Sequence, residues 1–414
     1  MKKWPIVMSL ILTYVIFAIL LNSVGTVILQ VIHHFAVAKQ NASVLEGFKD
    51  IPIAVVSFLL ASLLPRFGYK QSLQVGLSLA TLACVAMPIL PGFLTTKFMF
   101  FAVGAGFALV KVSVYATIGL VTNDQNQHSS LLNTIEGFFM FGVLLGYWLF
   151  SLFITDAPFP NNDWLSIYWF ISGLCVLNLI VLSFVDFPCP TYAIKHSSWR
   201  DFNKMLKLIT QPLVLVFIAS SFLYVLLEQG IGTWLPTFNH EVLQFPRSMS
   251  VQAASIFAGS LALGRLIAGV ILQRVHWYTL LTICLAAMGA LILLSLPLTR
   301  EIRFVSQLNW HNAPLTLFLL PIIGLFMAPI YPAITSVMLS KLPKSQHAAM
   351  TGLIVVFSAA GGTTGSLITG RLFALFGGQT AFYLLLFPIG IMYGAFYGFR
   401  LFVLRAPVQT AENT

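Results

Sequence analysis

The sequence predicts an all-α polytopic membrane protein, with twelve transmembrane helices in two pseudo-symmetric six-helix bundles. Three observations predict it. Of 414 residues, 58% are hydrophobic and 8% are Asp, Glu, Lys or Arg, about a third of the charged share of a soluble domain. Apolar stretches of about twenty residues, the length that crosses a bilayer, recur in two sets of six. The basic residues are distributed unevenly around those stretches, as they are around membrane spans.

The first set falls near 5–32, 45–65, 72–91, 97–121, 131–154 and 164–186, the second near 212–236, 250–272, 278–297, 314–338, 349–375 and 381–404. Met1-Lys2-Lys3 leads into an apolar stretch that runs to about Val31 with no small-residue cleavage site, so the first segment reads as a retained helix. The one long polar stretch in mid-chain carries Lys195, Arg200, Lys204 and Lys207. The organisation is therefore an N-terminal bundle over 1–187, a cytoplasmic linker over 188–211, a C-terminal bundle over 212–404 and a cytoplasmic tail over 405–414.

With both termini inside, thirteen of the 22 Lys and Arg lie on the cytoplasmic side and six on the other. This is the sense of the positive-inside rule, and the expected location is a bacterial inner membrane. The formal charge of +10 reads as basic loops over anionic lipid rather than as a nucleic-acid surface. Trp4, Trp164, Trp234, Trp277 and Trp310 lie near span ends and read as an aromatic belt. Cys84, Cys175, Cys189 and Cys284 are far apart and form no CxxC pair, which argues against a disulfide frame or a metal site. No nucleotide or metal motif is present and the loop carboxylates are single, so neither an enzyme nor a cofactor is expected.

The two halves echo each other. The second span ends Ala61-Ser-Leu-Leu-Pro65-Arg66-Phe-Gly68-Tyr-Lys70, and the eighth ends Gly269-Val-Ile-Leu-Gln273-Arg274-Val-His276. Both resemble the GxxxDRxGR(K) loop of the major facilitator superfamily, with Pro65 and Gln273 at the Asp position. That resemblance implies gating roles for Arg66 and Arg274. Leu21-Asn22, Leu132-Asn133 followed by Phe141-Gly142, Phe222-Leu-Tyr224-Val225, Gly264-Arg265, and Phe326-Met327 followed by Tyr331-Pro332 are similar to the fucose/proton symporter branch. It implies Asn22, Asn133, Tyr224 and Tyr331 as substrate-binding residues. The chain departs from that branch at its proton site, where Ser23 and Lys111 stand in place of an Asp and a Glu. Glu136 and Glu228 stand where the sugar carriers have Gln.

Charges inside the spans carry the chemistry, because an ionised side chain in the bilayer is tolerated only beside a partner or a cavity. Lys111 is about 21 Å from one face and 16 Å from the other, near the midplane, and shares a helical face with Gly104, Ala108 and Tyr115. A substrate or coupling role and a structural ion pair are both open to it. Glu136 and Arg265 lie about 10 and 13 Å inside the cytoplasmic ends of the fifth and eighth spans, so Arg265 suits either a substrate anion or a gate pair with Glu136. Glu228 is the first candidate for proton coupling, with Glu136 a second; it shares a face with Ser221, Tyr224 and Gly232, and Gly230 and Gly232 allow a local break beside it.

Glu46, Lys49 and Asp50 open the second span at spacings of three and four, as an ion-pair set at the outer interface, with Asp50 also a candidate for proton coupling. His33 and His34 are adjacent, point to different faces and read as a wet interface rather than a metal site. Together these residues imply a monomeric secondary carrier that moves a small anionic or zwitterionic organic solute by alternating access, driven inward by the proton gradient. Proton-antiport export of a drug, metabolite or siderophore is the alternative, and a membrane-embedded enzyme a more distant one.

Overall fold

The computed structural model describes residues 3–60, 68–122, 124–156, 161–187, 207–299 and 309–405. Arg66, Cys189, most of the expected linker (188–206) and the tail beyond Arg405 lie outside the described residues. The described chain is helical, with no strand among its elements. In order these are α1 (Lys3–Leu21), α2 (Val24–His34), α3 (Lys39–Ala42), α4 (Leu45–Leu60), α5 (Tyr69–Ile89), α6 (Phe93–Val121), α7 (Gln125–Leu152) and α8 (Ser166–Phe184). There follow α9 (Pro212–Gly232), α10 (Leu235–Glu241), α11 (Arg247–Ile271), α12 (Trp277–Leu298), α13 (Thr316–Leu319), α14 (Ile323–Met327), α15 (Ile330–Ser340), α16 (Lys344–Tyr383) and α17 (Leu386–Arg405). Among the described residues eleven helical stretches are long and apolar enough to cross a membrane. The twelfth expected span is α4, described over 16 residues.

Local chemistry sets the breaks. The Asp124 carboxylate accepts from Gln127 N at 2.8 Å and caps α7. Gly68 holds φ at 88° and turns the chain into α5. The first span is interrupted at Asn22-Ser23, between α1 and α2, and the seventh at Thr233-Trp234, between α9 and α10. The second interruption lies just past Gly230 and Gly232, where a break was expected.

The chain divides into two compact units. The first holds the chain through α8 together with Leu235–His240 and Phe245–Ser255, and the second holds α9, Glu241–Gln244 and the chain from Ile256 onward. Each repeats the same close approaches. In the first, α7 packs on α1 at Gly142, where a Cβ would meet Val15 O at 3.0 Å; in the second, α16 packs on α9 at Gly361, where it would meet Phe222 O at 2.5 Å. Likewise Gly104 of α6 faces Lys49 O on α4, and Gly264 of α11 faces Leu325 O on α14. The internal repeat read from two loops is thus visible in the packing of four helix pairs.

Two of the tryptophans expected in an aromatic belt are core residues instead. Trp4 is 76% exposed, but Trp164 is 1% and Trp234 0% exposed. The Trp234 indole N–H donates to Ser366 O at 3.0 Å, and Trp164 packs edge-on against Tyr168, so protein rather than interfacial water surrounds both rings.

Candidate substrate and coupling site

In the first unit α6 and α7 present the charges. Lys111 and Tyr115, one turn apart on α6, face Glu136 of α7: the Tyr115 hydroxyl donates to Glu136 Oε1 at 2.8 Å, and Glu136 acts electrostatically on Lys111. Lys111 Nζ lies 6.0 Å from the ring centroids of both Phe107 and Tyr115, with no hydrogen bond or ion pair formed among the described residues. Tyr14 of α1 completes the wall, edge-on to Phe139 at 5.7 Å and 6.1 Å from Phe107. Its hydroxyl is buried and interacts with that of Tyr115. A half-buried ammonium, a carboxylate held by a phenol and a second, buried phenol can together receive a polar solute. Asn133 is exposed on α7, one turn before Glu136, and Asn22 donates back to Ala18 O at 2.9 Å where the first span breaks.

The second unit has a parallel group. The Tyr224 hydroxyl donates to Glu228 Oε1 at 3.1 Å along α9, and the Tyr224 and Tyr331 rings stack at 5.5 Å. Tyr331 in turn shares a hydrogen bond of 3.1 Å with Ser358 of α16. Arg265, exposed on α11, acts electrostatically on Tyr224, and Glu228 acts on Tyr331. Arg274 is exposed in the turn after α11. Each of these two groups therefore gathers one cation, one carboxylate and two tyrosines.

A third charged group, read from the sequence as interfacial, is buried: Glu46 is 0% and Lys49 6% exposed. Lys49 Nζ bonds Glu46, lies 3.5 Å from Asp50 Oδ1 and 3.5 Å from Leu21 O, the carbonyl at the break in the first span. The depth follows from packing, because Gly104 lets the α4 backbone press directly against α6. Sequence spacing showed that these three residues pair but held no signal for their depth. The aromatic lining by Tyr14, Phe107 and Phe139 was also missed, since it joins three helices far apart in sequence. Among the described residues no group of three His, Cys, Asp or Glu could hold a metal ion.

A polytopic helical chain with buried charges at its helix breaks has the build of a membrane carrier. The chain belongs to the Major Facilitator Superfamily, whose family model matches residues 10–306, and it is a transporter rather than an enzyme. No curated protein sequence matches it. Among solved structures it is similar to a bacterial homologue of the human lysosomal transporter Spinster, at 12% identity and a TM-score of 0.76 over 99% of this chain and 100% of that one. It is similar to the nucleoside transporter NupG at 14% identity and a TM-score of 0.73, covering 95% of this chain and 98% of that one. The fucose:proton symporter FucP of E. coli matches at 16% identity and a TM-score of 0.59, covering 96% and 98%. At these identities the likeness is one of fold.

Proposed function

We propose that the chain is a proton-coupled secondary carrier that takes up a small anionic or zwitterionic organic solute by alternating access. It works as a monomer in a bacterial inner membrane with both termini cytoplasmic, and its only partners are the solute and the lipid. The observation that carries this reading is Lys111: an ammonium in mid-span, half-buried, with aromatic rings around it and a carboxylate held off by Tyr115. Charge in a low-dielectric span is costly unless a counter-ion arrives, and a solute carboxylate supplies one. In the second unit Arg265 and Glu228 offer the complementary signs that a zwitterion needs. The likeness to a fucose:proton symporter and a nucleoside transporter supports a polar organic solute, and the former supports protons as driving ion.

Uptake by proteoliposomes tests the proposal, with labelled citrate, glutamate, uridine and xylose offered under an imposed pH gradient, inside alkaline. The expected result is accumulation of a carboxylate solute, collapsed by a protonophore. Accumulation of xylose or uridine alone, or accumulation indifferent to the protonophore, contradicts it. Loss of a preloaded carboxylate driven by the same gradient would favour the antiport exporter.

A further inference from the structure

Outside the charged groups already described, one cluster joins residues from distant parts of the chain within the first unit. The second half of the first span ends on His33 and His34, beyond its apolar stretch, with ring centroids 4.9 Å apart. Arg247, the first residue of α11, is buried against them. Its Nη1 is 2.8 Å from His33 Nδ1 and 3.1 Å from His34 Nε2, and its Nη2 donates to Thr155 O at 2.9 Å. Ser248 donates its backbone N–H to Asp156 Oδ1 at 3.2 Å and its hydroxyl to Oδ2, and Gln252 donates to Ser151 Oγ at 3.1 Å. The first turns of α11 are thus fastened to the ends of α2 and α7.

A guanidinium donates and never accepts, so both imidazoles must turn a lone pair toward Arg247. His34 is more constrained still, because Asn161 N–H points at its Nδ1 from 3.1 Å. A neutral ring has one accepting nitrogen, so Asn161 and Arg247 compete for it; a protonated ring accepts from neither and adds a like charge beside the guanidinium.

We propose that His33 and His34 form a proton-binding site that controls the attachment of α11: unprotonated, they hold Arg247, and protonated, they release it. The charges facing them are named by the fold. Arg247 of α11 and His240 of α10 oppose a proton on His33; Arg247 and His33 oppose one on His34, while Asp163 favours it. Asp156 faces Arg247 and offsets part of its charge. Burial and then Arg247 push both imidazoles below their ordinary 6.5, His34 to about 4. A group whose attached form has the lower pKa holds the attachment fully above its released pKa and loses it as pH falls. Release therefore develops between about pH 6.5 and about pH 4. The inference rests on the proposed orientation only for its biological sense, which puts this cluster on the outer face, where protons would admit the solute.

The test is a distance measurement by pulsed electron resonance on the full-length protein in nanodiscs, with both faces at one pH so that neither orientation nor uptake enters. Nitroxides are placed at Asn162→Cys, exposed and next to Asn161, and at Pro246→Cys, half-buried and next to Arg247, both in the first unit, after replacement of the four native cysteines. The short distance at about pH 8 should give way to a longer population as the pH is lowered to about 5. His33→Gln/His34→Gln keeps accepting oxygens opposite Arg247 that never protonate, and retains Asp156 and Asp163. It should show the short distance at both pH values. A wild type indifferent to pH, a double variant that lengthens as the wild type does, or a double variant long at both pH values would each overturn the proposal.

Discussion

Tyr115 donates its phenol to Glu136 at 2.8 Å and so ties the carboxylate of α7 to α6, one turn away from Lys111. The bond keeps Glu136 from closing fully on the ammonium. In Tyr115→Phe the freed carboxylate can neutralise Lys111 directly. The fold should survive, since one ionic contact replaces a hydrogen bond of about 1.5–3 kcal/mol. Affinity for a carboxylate solute should fall about tenfold, near 1.4 kcal/mol, read by titration of the purified variant. Unchanged affinity would mean that Glu136 is not held in reserve.

The glycine contacts predict where the bundles tolerate no side chain. A Cβ at Gly104 would sit 2.3 Å from Lys49 O, and one at Gly264 would sit 2.4 Å from Leu325 O, both backbone atoms that cannot turn aside. Gly104→Ala and Gly264→Ala should each lose about 1–3 kcal/mol, seen as a lower melting temperature in detergent. Gly137 of α7 meets nothing within 4 Å, so Gly137→Ala should be neutral or stabilising by up to about 1 kcal/mol.

Lys49 predicts a stability effect that depends on which charge is removed. Lys49→Met leaves Glu46 and Asp50 without the ammonium they share, and should cost about 3–5 kcal/mol. Glu46→Gln/Lys49→Met/Asp50→Asn removes all three charges together and should recover most of that loss. Melting of both variants, side by side, checks it; equal stability would show that the ammonium does not hold the group together.

Proton coupling should be lost separately from solute binding. Glu228 and Glu136 each accept a hydrogen bond from a tyrosine of their own unit, whereas Asp50 belongs to the buried group at the break in the first span. Glu228→Gln and Asp50→Asn should keep exchange of solute across the membrane while at least one of them abolishes gradient-driven accumulation. If both accumulate as wild type does, and Glu136→Gln does as well, another coupling residue is required.

Much of this was legible in the sequence, because bilayer length and composition mark spans independently of tertiary structure. The helical face of Lys111 and Tyr115 and the i, i+4 pairing of Tyr224 with Glu228 follow from spacing alone. What spacing cannot give is depth and partnership across helices. Glu46 and Lys49 read as an interfacial ion-pair set because three-and-four spacing is the same at any depth, and their burial is decided by a glycine 55 residues further on. The interruption at Asn22-Ser23 contains neither Gly nor Pro to announce it. Arg247 reached His33 and His34 across more than 200 residues, so neither histidine carried a local sign of its partner.

The central claim is that Lys111 selects for negative charge in the solute, and it is tested most directly by thermal stabilisation of purified wild type and Lys111→Gln. Citrate, glutamate, uridine, xylose and choline serve as probes. A carboxylate should raise the melting temperature of the wild type most, and Lys111→Gln should lose that increment while melting, without solute, as high as the wild type or higher, because removing an intramembrane charge relieves an insertion cost. Stabilisation by a neutral or cationic solute that Lys111→Gln retains, or an unliganded Lys111→Gln that melts well below the wild type, would contradict the claim and make Lys111 a structural ion.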